Sequence, residues 1–466
     1  MTFRCILAPL VFATVLIPAL TADWPQWRGP HFNGSNPAAK GLAVEWTSDT
    51  NVAWKAKLPS WSAATPAVWG DTVFVTSAEE GFDSPAQQAR RGRGRGPRPG
   101  LGGGPGGPGA PGRRSAAPPA AASDRNDKIL LLALNRADGS VQWNRTIGDG
   151  NRVYRKQNLS SPSPITDGKH VWIMTGGGQF SCYDMNGEKV WSRNVQQDYG
   201  RFGLNHGYAS TPRLHMGRLY VQVLHGMKTD DPSYVFAVEA RTGKTIWKVE
   251  RPTDAMAESP DDYSTPLIIT ARGKEQLVVS GGDYVTGHDL DNGTELWRMG
   301  GFNPGNERFY RTIASSIHIE DTVFTPSTRG NPFIAFKAGG EGWMDESAKI
   351  WENAYGADVP TPTTDGERLF VVNDRGILNV LDANTGELVV ERLRLEPGTY
   401  SSSPLLADGK LYATNEEGTT TVIDVDDGYK TLAANRLDSH TLASPIAVGG
   451  QIFIRTADFL YCIAPD

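Results

Sequence analysis

The sequence predicts an all-β protein, an eight-bladed β-propeller with four-stranded blades, because two patterns recur along its 466 residues. The first pattern is a Ser/Thr/Pro element. Its proline-equivalent positions are 66, 164, 212, 266, 316, 362, 404 and 445, at intervals of 98, 48, 54, 50, 46, 42 and 41 residues. After the first interval, this spacing is typical of one four-stranded sheet per repeat, and eight such sheets around one axis form a propeller.

The second pattern is a hairpin signature in the outer half of each repeat, clearest at residues 133–143, 237–247 and 287–297. Apolar residues alternate, a polar turn ends in glycine, and a tryptophan follows four residues later. This order is typical of two strands joined by a tight turn. We expect the tryptophans to pack between neighbouring sheets. The repeat tryptophans are Trp54, Trp143, Trp191, Trp247, Trp297 and Trp351.

The start of the propeller is predicted to complete its end. The last repeat stops one strand short, because only three residues follow position 463. Residues 51–55 can supply the missing strand, and Trp54 matches the repeat tryptophans. Pairing of this N-terminal strand with the last repeat would close the ring and remove an open sheet edge.

The chain divides into three predicted segments, and the third contains an insert. A basic start, an apolar run and a small-residue cleavage site identify residues 1–22 as a signal peptide. Residues 23–45 form an N-terminal extension, with Trp24, Trp27 and Arg28 as a flap under the propeller, and 46–466 form the propeller itself. We expect an exported protein, periplasmic or extracellular, without a transmembrane segment.

The long first interval contains a Gly/Pro/Arg-rich insert, residues 79–127, within the first blade. Its composition predicts disorder. It is either a tolerated surface loop or a cationic arm for an anionic surface, since residues 87–122 hold seven arginines and no acid. Without those arginines the formal charge of −6 becomes 39 − 52 = −13, which argues against nucleic acid as a partner.

The hairpin motif resembles that of the pyrroloquinoline-quinone-like (quinoprotein-like) β-propeller superfamily, from about residue 46 to 466. That superfamily includes quinoprotein alcohol dehydrogenases and the assembly lipoprotein BamB. The opening residues 23–30, Asp-Trp-Pro-Gln-Trp-Arg-Gly-Pro, are similar to the start of secreted planctomycete members. The resemblance therefore implies a propeller that serves either as an enzyme or as a scaffold.

In the dehydrogenases, the resemblance would imply a quinone between a tryptophan floor and a disulfide of adjacent cysteines, with calcium and an aspartate base beside it. No adjacent cysteines exist, and we expect Cys182 and Cys462 to be buried as small hydrophobic residues, although an exported protein could pair them. Asp262 and Tyr263 are the nearest catalytic candidates. No acidic cluster suits calcium, and the scattered histidines match no metal motif. We predict no cofactor and no metal; quinone and calcium belong to the alternative alone.

Polar residues shortly before the Ser/Thr/Pro elements are expected to gather at one end of the central channel. The channel-end binding candidates are His206, Tyr208, Asp261, Arg311, Tyr400 and His440. The leading hypothesis is a monomeric, non-catalytic binding or scaffolding module for a protein or a cell-envelope polymer. The alternatives are a divergent quinone-dependent alcohol or sugar dehydrogenase and a polysaccharide-binding propeller.

Overall fold

The computed structural model describes residues 23–79, 124–125 (backbone only), 127–154 and 156–465. The predicted signal peptide 1–22 and most of the predicted insert 79–127 lie outside these residues. Within them the predicted all-β fold is confirmed: eight antiparallel sheets of four strands each follow one another as the blades of a propeller. Every blade is a meander in which consecutive strands pair.

The first four blades follow the repeat directly. Blade 1 comprises Ala67–Trp69, Thr72–Ala78, Ile129–Asn135 and Val141–Gly148. Blade 2 comprises Ile165–Thr166, His170–Met174, Gln179–Asp184 and Lys189–Asn194. Blade 3 comprises Arg213–His215, Arg218–Val223, Tyr234–Glu239 and Thr245–Glu250. Blade 4 comprises Leu267–Ala271, Lys274–Gly281, Tyr284–Asp289 and Glu295–Met299.

The remaining blades complete the ring. Blade 5 comprises Ile317–Ile319, Thr322–Pro326, Phe333–Lys337 and Lys349–Asn353. Blade 6 comprises Thr363–Thr364, Arg368–Val372, Ile377–Asp382 and Leu388–Arg394. Blade 7 comprises Leu405–Ala407, Lys410–Thr414, Thr419–Asp424 and Thr431–Arg436. Blade 8 comprises Ile446–Val448, Gln451–Arg455, Phe459–Ile463 and the N-terminal strand Val52–Lys57.

The N-terminal strand closes the ring in the way that the sequence predicts. Val52–Lys57 pairs antiparallel with Phe459–Ile463, and Trp54 lies opposite Cys462. The first and last parts of the chain therefore form one sheet. This pairing fills the edge that blade 8 would otherwise leave open.

Several short elements were not predicted. Ser35–Asn36 adds a parallel strand to blade 7, and Gly342–Met344 adds one to blade 4. Asp124–Arg125, Asn151–Tyr154 and Gln157–Asn158 form a small three-stranded sheet between blades 1 and 2. The helical segments within the described residues are one α-helix, Val195–Tyr199, and two 3₁₀ turns, Thr328–Gly330 and Glu346–Ala348. None of the helices in the described residues is long and apolar enough to cross a membrane.

The meander gives the propeller two different faces. The hairpin face carries the turns between the first and second and between the third and fourth strands of each blade. The loop face carries the connections between the second and third strands and those from one blade to the next. Neighbouring blades bury apolar side chains between them; Cys182 and Cys462 lie in these layers with free thiols, as expected from the sequence.

On the hairpin face, the repeat tryptophans join neighbouring blades. Five of them pack on the turn glycine of the next blade and donate their indole N–H to a carbonyl oxygen of that turn. The pairs are Trp54 with Arg136 O at 2.8 Å, Trp143 with Met185 O at 2.9 Å, Trp191 with Ala240 O at 2.8 Å, Trp247 with Leu290 O at 2.9 Å and Trp351 with Ala383 O at 3.0 Å. The sixth, Trp297, is different and donates to Gln276 Oε1 within its own blade.

Candidate functional site

The axis of the propeller holds a cavity of about 390 Å³. Its wall is built by the residues that precede the innermost strand of each blade, which is why the recurring Ser/Thr element faces it. Residues from the loop face line its wide end, which we call the mouth, and Trp27 lines it from the N-terminal extension. A cavity of this size falls within the range of small-molecule sites.

The N-terminal extension closes the cavity on the hairpin face. Trp24 forms a β-bridge with Val68 of blade 1, and the carbonyl oxygen of Pro25 accepts a hydrogen bond of 2.8 Å from Thr166 N of blade 2. Asn36 Nδ2 donates to Ala447 O of blade 8 at 2.9 Å. The segment thus contacts the inner strands of blades 8, 1 and 2, which are neighbours in the ring, as expected for a flap under the propeller.

Arg28 anchors this flap, and no acidic side chain of the part of the chain that the structure describes pairs with it. Its guanidinium is fully buried and donates to Pro404 O at 3.1 Å and to Pro362 O at 2.6 Å, in front of blades 7 and 6. Burial lowers the pKa of Arg28 to about 9. With Asn33 O at 3.3 Å, three backbone carbonyl oxygens therefore hold a charge that burial disfavours, which indicates a structural rather than a ligand-binding role.

A ring of eight hydroxyl groups surrounds the axis, one from the Ser/Thr element of each blade. Each hydroxyl oxygen accepts a hydrogen bond from the backbone N–H of the equivalent residue one blade earlier, and the last bond returns from blade 8 to blade 1. In ring order the acceptors are Ser163, Thr211, Thr265, Ser315, Thr361, Ser403, Ser444 and Thr65, at 3.0, 3.1, 3.2, 3.0, 2.9, 3.0, 3.0 and 3.4 Å. We call this set the hydroxyl ring.

The mouth carries charges of both signs on loops that are distant in sequence. On one side, Glu258 Oε1 lies 3.2 Å from His206 Nε2 and 3.9 Å from Arg311 Nε. On another side, Lys156 Nζ pairs with Glu416 Oε1 at 2.6 Å, and these two residues are separated by 260 positions in the chain. Only the closed ring brings these loops together.

Two aspartates from blade 6 complete the mouth. Asp358 Oδ1 accepts a hydrogen bond of 2.8 Å from Arg329 N, and Asp374 Oδ1 accepts one of 3.1 Å from Val359 N. Burial and then the neighbouring Asp358 raise the pKa of Asp374 to about 6, although Lys156 and Arg311 act in the opposite direction. The mouth therefore holds more acidic than basic side chains.

Four of the residues singled out from the sequence line this cavity: His206, Tyr263, Arg311 and Tyr400. Tyr263 accepts a hydrogen bond of 3.0 Å from His206 N, so these two are adjacent. The Tyr400 hydroxyl donates to Glu396 O at 2.9 Å. Sequence spacing alone therefore brings together part of the mouth.

The other candidates lie outside the cavity wall. Asp261 and Asp262 are buried, and Tyr208 donates to Gln222 O at 3.2 Å behind the wall. Asp262 Oδ2 accepts a hydrogen bond from Gln222 Nε2, and burial raises the pKa of Asp262 to about 7. Burial lowers the pKa of His440, and the charge of nearby Glu416 offsets this shift only in part. A substrate in the cavity would not reach Asp262.

Sequence reasoning missed Lys156, Glu258, Asp358, Asp374 and Glu416 at the mouth. A first signal was present: Asp358 stands three residues before Thr361, as Tyr400 stands before Ser403. Asp374 and Glu416 come from connections between second and third strands that share an Asn-acidic-x-Gly pattern, Asn373 to Gly376 and Asn415 to Gly418, and sequence reasoning did not use this second signal. Their position at the axis follows only from the assembled ring.

The residues present do not fit the quinone site that the resemblance implies. Cys182 and Cys462 lie buried in strands of blades 2 and 8 and cannot form a disulfide of adjacent cysteines. Among the described residues, no group of three or more His, Cys, Asp or Glu side chains could hold a metal ion. The excess of acidic side chains at the mouth also disfavours pyrroloquinoline quinone, which is a tricarboxylate.

Comparison with known proteins identifies relatives over most of the chain. A family model described as outer membrane protein assembly factor BamB matches residues 35–211, 126–388 and 334–458. BamB of Shewanella oneidensis is 22% identical over 311 residues, which cover 64% of this chain and 69% of that protein.

Solved structures share the fold. The crystal structure of BamB from Moraxella catarrhalis superposes with a TM-score of 0.53 at 12% identity, over 88% of this chain and 97% of that one. Quinohemoprotein alcohol dehydrogenase from Comamonas testosteroni superposes with a TM-score of 0.61 at 11% identity, over 96% of this chain and 81% of that one. At these identities both comparisons establish the propeller and leave function to the site.

Proposed function

The chain belongs to the family described as outer membrane protein assembly factor BamB, and on this premise we propose that it is a non-catalytic scaffold of the cell envelope that binds another protein. The name of the relatives supports an envelope location and a protein partner. The described residues support a binding role, because the catalytic arrangement of the quinone enzymes does not fit them.

The observation that carries this proposal is a set of three exposed apolar side chains on neighbouring loops of the loop face. Met227, Met256 and Phe309 are 37%, 43% and 54% exposed on three separate loops of blades 3 to 5. We call these residues the loop-face patch. Methionine and aromatic side chains are enriched in protein–protein interfaces, so this surface favours a protein over a polar polymer.

Hydrogen bonds hold the three loops of the loop-face patch together. Asp261 Oδ1 accepts from Gly226 N at 2.9 Å and from Met227 N at 3.1 Å, which ties the first loop to the second. Glu258 N donates to Arg308 O at 3.0 Å, which ties the second to the third. A surface that is already ordered loses less conformational entropy when a partner binds. The buried Asp261 carboxylate therefore fixes the backbone of the loop that carries Met227.

The test compares partner capture by three forms of the full protein. We expect wild type to retain a specific envelope protein after cross-linking, and the double variant Met256→Asp/Phe309→Asp to retain at least about tenfold less, since each substitution places a charge in an apolar contact. Met216→Asp is the matched control, because Met216 is 79% exposed on the opposite, hairpin face. Equal capture by all three forms would refute the role of the patch.

The non-catalytic part of the proposal has its own test. The protein is mixed with pyrroloquinoline quinone and calcium, and oxidation of alcohols and sugars is followed with an electron-accepting dye. We expect no turnover above the cofactor alone. Turnover that requires the protein would overturn the scaffold proposal in favour of an oxidoreductase.

A further inference from the structure

The axial cavity is a pocket that is closed at one end. The N-terminal extension closes it on the hairpin face, with Trp27 on the cavity side, and the mouth opens on the loop face. A ligand can therefore enter only from the loop face, with one end first. A polymer could insert its terminal unit but could not pass through.

The hydroxyl ring supplies donors to this pocket. Seven of its eight members line the cavity, all except Ser315. Within the described residues, each of these oxygens acts as a hydrogen-bond acceptor toward a backbone N–H and none donates. A hydroxyl group that accepts one bond still has its proton to donate. The ring thus offers O–H donors around the whole circumference.

The mouth supplies acceptors at a different depth. Asp358 and Asp374 each receive one backbone N–H at Oδ1, and no described residue donates to their Oδ2 atoms. These oxygens can accept from hydroxyl groups of a ligand. A pocket with donors at its throat, carboxylates at its mouth and an aromatic ring at its base is complementary to a molecule that both donates and accepts on every side.

The balance of charge narrows the class of ligand. The cavity is lined by Lys156, Arg311 and the ionisable His206 and by Asp358 and Asp374, and two more acidic side chains, Glu258 and Glu416, touch these residues at the mouth. Phosphorylated or carboxylated ligands would meet net repulsion there. Glu258 and Glu416 already engage the basic residues, which leaves the two aspartates to face a ligand.

We propose that the axial cavity binds the uncharged terminal sugar unit of a glycan, through the hydroxyl ring, the Asp358 and Asp374 carboxylates and the Trp27 ring. The apolar faces of a sugar suit contact with an indole, and its hydroxyl groups suit both ends of the pocket. This function is independent of the protein scaffold, because the cavity residues and the loop-face patch are different sets of residues.

The experiment titrates the full protein with neutral sugars and with their acids. Glucose, galactose, mannose, N-acetylglucosamine and short oligomers of each are compared with glucuronic and galacturonic acids by saturation-transfer NMR and calorimetry. We expect at least one neutral sugar to bind in the millimolar range or tighter, and the uronic acids to bind more weakly than their neutral counterparts. Absence of binding by every neutral sugar, or tighter binding of the acids, overturns the proposal.

Two substitutions locate the site. Asp358→Asn and Asp374→Asn keep the side-chain shape. We expect each to weaken sugar binding about tenfold, because a charge-assisted hydrogen bond becomes a neutral one. Asp426→Asn is the matched control, since Asp426 is an exposed acid on the hairpin face. All three are checked for an unchanged melting temperature. Unchanged sugar affinity in both mouth variants would show that the sugar lies elsewhere and refute the site, whatever the outcome of partner capture.

Discussion

The hairpin face and the loop face of the propeller are built by opposite rules. On the hairpin face, five tryptophans repeat one contact, in which the indole packs on a glycine turn and donates to a carbonyl oxygen of the next blade. On the loop face, neighbouring connections differ in length, and charged residues meet that are as far apart as Lys156 and Glu416. The repeat therefore secures the ring from one side and leaves the other side free to form binding sites.

Trp297 shows what the regular contact requires. Its blade faces blade 5, where residues 338–348 replace the short glycine turn and include the added strand Gly342–Met344. With no turn to meet, Trp297 is fully buried in its own blade, where its N–H donates to Gln276 Oε1 at 2.7 Å and its ring packs on Gly287. The direction in which a repeat tryptophan packs therefore depends on the turn of the next blade rather than on the strand that carries the tryptophan.

The largest expected effect of breaking the hairpin-face contact is at the ring closure. Trp54 is buried, pairs through its strand with Phe459–Ile463 and contacts blade 1 at Gly139. We expect Trp54→Ala to lower the free energy of unfolding by about 3–5 kcal/mol, because a large buried ring is lost where the chain ends meet. Calorimetric melting measures this loss.

The matched control for closure is Trp343→Ala. Trp343 is 69% exposed, and its ring lies over the half-buried Tyr284 and the guanidinium of the buried Arg298. Its removal is expected to change the melting temperature much less than the loss of Trp54. Equal effects of the two substitutions, or an unchanged melting temperature for Trp54→Ala, would contradict the role given to the closing strand.

The same contrast decides how much the sequence could predict. The blade number, the closing strand and the burial of Cys182 and Cys462 follow from local patterns, because a turn glycine and an alternating strand act at short range. The inward position of Trp297 depends on an insertion forty residues later in the chain. Asp262 was a catalytic candidate from the sequence. Its burial depends on the packing of Gln222 from another strand.

Asp262 provides the next largest expected effect and belongs to the loop face. Burial raises its pKa from the ordinary 3.8 to about 7, and hydrogen bonds from Ser264 and Gln222 offset this only in part. Between these two pH values the folded protein binds more protons than the unfolded chain. Its contribution to stability is therefore full below pH 3.8 and is lost as the pH rises through 7, by up to about 4 kcal/mol.

The variant Asp262→Asn should remove this part of the pH dependence. An amide cannot ionise, and Gln222 Oε1, which has no partner among the described residues, can accept from it. We expect the variant to gain stability relative to wild type between pH 4 and pH 8 in denaturant unfolding. Asp261 and Asp374, whose pKa values also rise to about 6, keep their own contributions in both proteins. Asp426→Asn serves as the exposed control, and parallel stability curves for wild type and Asp262→Asn would contradict a buried, perturbed carboxyl.

The smallest effect tests the hairpin-face contact itself, through two turn glycines with similar positive φ angles and different surroundings. Gly187 (φ 80°) lies under Trp143, and a Cβ there would lie 2.7 Å from the Trp143 ring; Gly217 (φ 74°) has no described atom within 4 Å of such a Cβ. Both substitutions to Ala incur roughly 1–2 kcal/mol of left-handed backbone strain, and Gly187→Ala should cost about 1–3 kcal/mol more through overlap with the ring.

If the Trp143 indole causes the larger destabilisation by Gly187→Ala, the difference between the two glycine substitutions should disappear when the indole is removed. In a Trp143→Ala background we expect Gly187→Ala and Gly217→Ala to lower the melting temperature by similar amounts, because only backbone strain remains at both turns. A difference that persists without Trp143 would assign the sensitivity of the turn to its own geometry. The glycines of the repeat would then be required for hairpin formation alone. The contact between blades would be a consequence of the turn rather than the reason for its glycine.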